Sequence, residues 1–161
     1  MTLLLDIDGV MVPAKSWENP EILDDQFMNF SHQASIALQM IISKTNSNIL
    51  LTTSHKDQFD LNEWINIFNR RNISVKNIDK LPRNIHLLNR KDEILNWYNS
   101  NPGIQVRKDF IILDDDKSLN ALPIFLKERL VLTNSMVGLT VSIANEVIKM
   151  MNRPKKDLIG V

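Results

Sequence analysis

Two groups of carboxylates stand directly at the ends of apolar runs in this chain. Leu3-Leu4-Leu5 leads into Asp6 and Asp8, with Gly9 right behind, and Phe110-Ile111-Ile112-Leu113 leads into Asp114-Asp115-Asp116. Short continuous apolar runs bounded by turn signals read as strands buried on both faces. Along a strand residues i and i+2 point to the same side, so Asp6 and Asp8 are expected to converge at the strand's carboxyl edge while Ile7 turns into the core. Carboxylates that close repel, and burial raises the cost, unless a cation or a proton is shared among them. A hard divalent ion, Mg²⁺, suits such a site, because it takes carboxylate oxygens and usually a substrate phosphate as well. Alone, Asp-x-Asp-Gly also reads as a surface turn. The apolar run against the acids and the second acidic cluster weigh against that reading.

Thr52 and Thr53 close another apolar run, Ile49-Leu50-Leu51. A hydroxyl at a strand's carboxyl end, followed by backbone N–H groups opening a loop, can hold phosphate oxygens. Thr53 is the preferred residue and Thr52 the alternative. His55, on the same loop, reads as a solvated histidine, with donation to substrate or acid catalysis as its other reading. Between Arg70 and Lys91 lie seven basic residues and one acid, Asp79. That excess could draw in an anionic substrate, or be a solvated face balanced by acids elsewhere.

The elements needed to position these groups follow from periodicity and caps. Residues 11–30 contain Pro13 and Pro20 and no clean period, and read as an irregular excursion, a short hairpin plus loop, with Trp17 packing beneath it. Ser31 caps a helix to about Lys44, with Ala34, Ala37, Leu38, Ile41 and Ile42 on one face. A strand follows over Asn48–Thr53. Asp60-Leu61-Asn62-Glu63 has the form of a capping box for a helix to about Arg71. A short strand is expected at Ile73–Ile78, then a helix from Arg90 that stops by Asn101-Pro102-Gly103. After the strand at Phe110–Leu113 come a strand over Arg129–Thr133 and a helix capped by Thr140. Asp116 reads as an N-cap or loop residue, and Arg153-Pro154-Lys155-Lys156 as a solvated end. Strands alternating with helices make right-handed crossovers, and hence a mainly parallel sheet.

Leu-Asp-Ile-Asp-Gly-Val over residues 5–10 resembles the first motif of the haloacid dehalogenase (HAD) superfamily of phosphohydrolases, and the other three motifs follow in the family's order. The second is a hydrophobic strand ending in Thr or Ser, here Thr53 or Thr52. The third is a lysine near the start of the helix before the last acidic strand, here Lys91 with Arg90 as fallback. The fourth is a hydrophobic strand ending in Asp-Asp, here Asp114 and Asp115. The resemblance implies a three-layer Rossmann-like α/β fold and phosphate-ester hydrolysis in which Asp6 attacks phosphorus and Asp8 is the general acid and base. It implies Mg²⁺ held by Asp6, the backbone carbonyl of Asp8, and Asp114/Asp115, with Thr53 and Lys91 on the phosphate oxygens. The segment after the first motif is then a helical turn and a flap. The intervals 11–47 and 54–90 leave no room for an inserted cap domain, so a single capless domain over residues 1–161 is expected. Capless members tend to accept bulky substrates such as proteins or nucleic-acid ends. The dehalogenase branch, which dispenses with the second aspartate and the metal, is disfavoured.

Composition bounds the remaining readings. The 161 residues are 43% hydrophobic and 24% charged, with 19 basic against 19 acidic side chains. That is an ordinary globular composition. A net charge of zero gives no independent support for nucleic acid as a partner. The absence of cysteine excludes disulfides, thiolate metal sites and a cysteine nucleophile. No apolar run approaches a membrane span, and no basic n-region precedes the first strand, so a cytoplasmic protein is expected; the resemblance implies a phosphorylated substrate. Two rivals are a receiver-type signalling domain, whose acidic pair lies at the first strand and whose lone phosphoacceptor lies at the third, and a catalytically silent HAD-like binding module.

Overall fold

The computed structural model describes residues 1–15 and 17–153. Five parallel strands form one sheet in the order β3-β2-β1-β4-β5: β1 Thr2–Leu5, β2 Asn48–Leu51, β3 Ile78–Lys80, β4 Phe110–Asp114 and β5 Leu130–Leu132. β1 is central, with Leu3 opposite Ile49 on one side and Ile111 on the other. The chain winds outward from β1 to β3 and then crosses back to β4, so the order reverses between β1 and β4. In open α/β sheets ligands bind at the carboxyl ends of the strands at such a switch point.

Strand alternation divides the core into two faces. Leu3, Leu5, Ile49, Leu51, Ile111 and Leu113 lie against α1 (His32–Thr45), α2 (Leu61–Arg70) and α6 (Val141–Met151). Leu4, Leu50, Phe110 and Ile112 face α3 (Arg90–Asn99), α4 (Pro102–Arg107) and α5 (Ile124–Lys127). This is the three-layer α/β arrangement the resemblance implied, with the parallel sheet that the pattern implied. Ser31 caps α1 through Ala34 N–H, Asp60 and Glu63 form the capping box of α2, and Thr140 caps α6. The described parts of both intervals that a cap would occupy hold the flap, α1, α2, β3, short turns and loops.

Several boundaries differ from expectation. β3 begins at Ile78 rather than Ile73, because Asn72 turns with φ 61° and Ile73 N–H returns to the Phe68 carbonyl. Ile73 and Val75 are buried as plugs in a loop rather than as strand residues. Pro102 does not simply end a helix: it occupies the first turn of α4, where its missing N–H costs nothing. Trp17 does not pack beneath the flap, being 71% exposed. The expected solvated end lies, beyond Arg153, outside the described residues.

Candidate active site

The chain leaves β1 through a tight helical turn. Asp6 N–H still bonds the Leu113 carbonyl, extending the sheet by one residue, and then Met11 N–H closes onto the Ile7 carbonyl at 2.8 Å. Gly9 sits in this turn at φ +73°, and a Cβ there would collide with the Asp115 carboxylate. Thr133 Oγ1, at the end of β5, donates to the Gly9 carbonyl at 2.8 Å and pins the turn to the sheet. No backbone hydrogen bond among the described residues ends on the Asp8 carbonyl.

Asp6, Asp114 and Asp115 each present an oxygen within 4.8 Å of the others. Asp6 and Asp114 are buried and Asp115 half-buried. The Arg90 guanidinium enters from the first position of α3, its Nη1 lying 2.8 Å from Asp114 Oδ2 and 3.3 Å from Asp6 Oδ1. Thr52 Oγ1 accepts from the same nitrogen at 3.0 Å. Asp114 is fully engaged, since its Oδ1 also receives the N–H groups of Asp115 and Asp116. Asp116, half-buried at the cleft wall, caps the following 3₁₀ turn, Lys117–Ala121, by accepting Ser118 N–H.

Burial and mutual repulsion raise all three carboxyls. Asp114 is pushed up to about 6, first by burial and then by the charge of Asp6, while Arg90 and two backbone N–H groups pull against this. Asp6 is raised by burial, opposed by Arg90, with Asp115 adding repulsion. Asp115 is raised by burial and then by Asp114. Burial also opposes the Arg90 charge, but Asp6 and Asp114 outweigh it and its pKa rises. Three carboxylates against one guanidinium leave a local excess of two negative charges. An all-oxygen donor set of that excess fits a hard divalent cation.

Asp8 does not join the three. Because the turn begins at Ile7, strand alternation ends there, and the half-exposed Asp8 carboxylate bonds His55 Nε2 at 2.8 Å instead. It still lines the same open cleft of about 490 Å³, together with Ser54, Arg90, Lys117 and Ser135.

A family model describing the HAD domain in Swiss Army Knife RNA repair proteins matches residues 2–144. The chain belongs to this family. No curated protein and no solved structure matches it.

In this HAD domain the lysine expected beside the acids is replaced in space by its neighbour. With Asn89 as N-cap, Arg90 is the first residue of α3, and side chains there lean back toward the preceding segment. Lys91 is turned about 100° around the helix axis. It is half-buried, is absent from the cleft wall, and its side chain makes no ion pair among the described residues. The two threonines are likewise buried behind the cleft: Thr52 holds Arg90, and Thr53 Oγ1 accepts His55 N–H at 3.3 Å as the cap of a 3₁₀ turn, Ser54–Gln58. Ser54, one residue on, is the hydroxyl that reaches the cleft. Lys117 and Ser135 were not singled out from sequence. They lie in the loops after β4 and β5, and only the general rule that such loops carry function pointed toward them. Among the described residues no helix is long and apolar enough to cross a membrane.

Proposed function

We propose that this HAD domain is a divalent-metal-dependent phosphohydrolase that removes phosphate from phosphomonoesters, with polynucleotide ends as its substrate class. The observation that carries the reading is the convergence of Asp6, Asp114 and Asp115 on one point at the carboxyl end of the central strand. The family's occurrence in RNA repair proteins supports the substrate class. The lack of a cap domain among the described residues suits an end presented by a large molecule.

Asp6 is the nucleophile: one carboxylate oxygen forms a bond to phosphorus as the bond to the leaving oxygen breaks, giving an aspartyl-phosphate. Asp8 gives its proton to that leaving oxygen, then takes one from the water that attacks phosphorus and frees Asp6. Arg90, held by Thr52 and Asp114, keeps Asp6 oriented and faces the transferring oxygens, the part expected of Lys91. The Ser54 hydroxyl and Lys117 are placed to bind oxygens of the phosphoryl group or of the chain beyond it. Asp6, Asp115 and the Asp8 carbonyl would hold a Mg²⁺ ion, with Asp114 fixing the loop behind them. When bound, the ion supplies charge neutralisation for the phosphoryl group.

The test is phosphate release from RNA oligonucleotides bearing a 5′- or a 3′-phosphate, with Mg²⁺ and with a chelator, by wild type and Asp6→Asn. Release that needs both Mg²⁺ and Asp6 is expected. Full turnover by Asp6→Asn, or release indifferent to chelation, would refute the reading. Binding of the oligonucleotides without turnover would favour the silent module.

A further inference from the structure

We infer that His55 is a positioning residue that aims Asp8 at the leaving group, an inference that rests on the phosphohydrolase reading above. The His55 ring is fixed on three sides. Nε2 meets Asp8 Oδ2 at 2.8 Å, Nδ1 meets Gln58 Nε2 at 3.0 Å, and the ring stands edge-to-face on Phe27 with centroids 5.5 Å apart. With the amide orientation assigned to Gln58, its N–H donates to Nδ1, so that nitrogen is an acceptor. The imidazole proton then sits on Nε2 and is donated to Asp8. The backbone reinforces this, because His55 N–H is held by Thr53 Oγ1 at the end of the neighbouring strand.

The consequence for Asp8 is a division of labour between its two oxygens. Asp8 lies past the end of the strand on a turn and is half-exposed, so its own backbone does not fix its rotamer. The bond from His55 occupies Oδ2 and leaves Oδ1 as the oxygen that carries and receives the proton. It also keeps the carboxylate apart from the Asp6, Asp114 and Asp115 group, where it would otherwise add a fourth negative charge. A pair this exposed contributes little to stability. Its value lies in orientation, and a misplaced acid is expensive when the leaving oxygen needs a proton.

A double-mutant cycle on two substrates tests this. The single-turnover rate of alcohol release from glycerol 1-phosphate, whose alkoxide must be protonated, is compared with that of p-nitrophenol release from p-nitrophenyl phosphate, which leaves almost unaided. His55→Phe keeps the ring on Phe27 and removes the donor, whereas His55→Gln keeps an N–H near the Nε2 position. His55→Phe is expected to slow this first step roughly 10-fold for the alkyl ester, with half-saturation nearly unchanged and the p-nitrophenol burst rate little affected, within the range of acid–base effects. Hydrolysis of the shared aspartyl-phosphate, which also uses Asp8, slows alike with both. His55→Gln should recover most of that loss, and His55→Phe should cost nothing further in the Asp8→Ala background, since it acts only through Asp8. Equal losses of the first-step rate on both esters, or the same loss with and without Asp8, would overturn the inference in favour of a packing role. A wild-type chain that turns over neither ester would remove the phosphohydrolase reading and this inference with it, a failure seen before any His55 variant is assayed. Independently of turnover, ¹⁵N NMR of the His55 ring should show the Nε2–H tautomer in wild type, with the Nε2 resonance displaced in Asp8→Ala as its acceptor is lost. The Nδ1–H tautomer in wild type, or an Nε2 signal unmoved in Asp8→Ala, would also overturn the inference.

Discussion

Gly9 shows how closely single residues are fitted at this site. Its φ of +73° is a conformation that costs other L-residues about 1–2 kcal/mol, and the Asp115 carboxylate occupies the space a side chain would need. Gly9→Ala should therefore act twice, lowering stability by about that amount and displacing one of the three convergent acids. We expect thermal unfolding to shift modestly while the Mg²⁺ concentration for half-maximal activity rises at least ~10-fold, in line with the cost of disturbing groups that orient metal ligands. A variant that loses stability but keeps wild-type Mg²⁺ dependence would show that Asp115 is not a ligand. Arg90 makes the same point for charge, because its reach to Asp6, Asp114 and Thr52 depends on its being the first residue of α3.

Among the elements, the flap is the one whose attachment is most concentrated. Residues Glu21–Asn29 form a minimal hairpin, with Ile22 bridged to Met28 and Gln26 turning at φ 64°. It is tied to the end of α2 by Arg71, whose buried guanidinium donates to the Phe27 and Met28 carbonyls and to Asp25. Arg71 also lies over the Phe27 and Phe30 rings. Phe27 in turn carries His55, so the clamp and the cleft share one aromatic contact. Asp25→Ala would leave the Arg71 charge buried with only carbonyl partners. Such a change typically costs about 3–5 kcal/mol, and chemical denaturation should read most of it. A loss below about 1 kcal/mol would mean that the carbonyls alone hold the guanidinium. The Lys56–Glu93 pair, at 3.2 Å and almost wholly buried, joins the Ser54–Gln58 turn to α3 in the same manner.

For the molecule as a whole, the acid cluster sets how stability varies with pH. Asp114 has a folded pKa of about 6 against an ordinary 3.8, so between these values the folded chain binds protons that the unfolded chain does not. Stability in chelator should therefore rise as pH falls from 7.5 to 5, by about 1.4 kcal/mol from Asp114 alone or roughly 4 °C in Tm. Asp25 acts in the opposite direction, since Arg71 lowers its pKa, but that stability is lost only below the ordinary carboxyl range and leaves this window untouched. Mg²⁺ prefers the ionised acids, so the rise in Tm it produces should shrink over the same interval. A Tm in chelator that falls from pH 7.5 to 5 would contradict the burial assigned to the cluster. Much of this molecule was legible in its sequence because apolar runs ending in acids determine both the sheet and where its charged edge lies. The caps of α1, α2 and α6 were legible for a similar reason, each resting on one local side chain. What was not legible depended on helix phase and chain exit: whether Arg90 or Lys91 faces the acids, whether Thr53 or Ser54 reaches the cleft, and where Asp8 points once the strand ends at a turn. Those are decided by one residue's rotation, which periodicity does not resolve. The exposure of Trp17 was missed because an irregular segment carries no pattern to read.

The central claim is that Asp6 itself accepts the phosphoryl group, and trapping the adduct tests it most directly. Asp8→Ala, mixed with p-nitrophenyl phosphate and Mg²⁺, still allows attack on an ester that needs no proton, but lacks the base that activates water for the second step. We predict a burst of about one equivalent of p-nitrophenol, with a hydroxylamine-sensitive phosphoryl adduct found by mass spectrometry on the peptide containing Asp6. Steady turnover with no adduct, or an adduct on any other residue, would contradict the account.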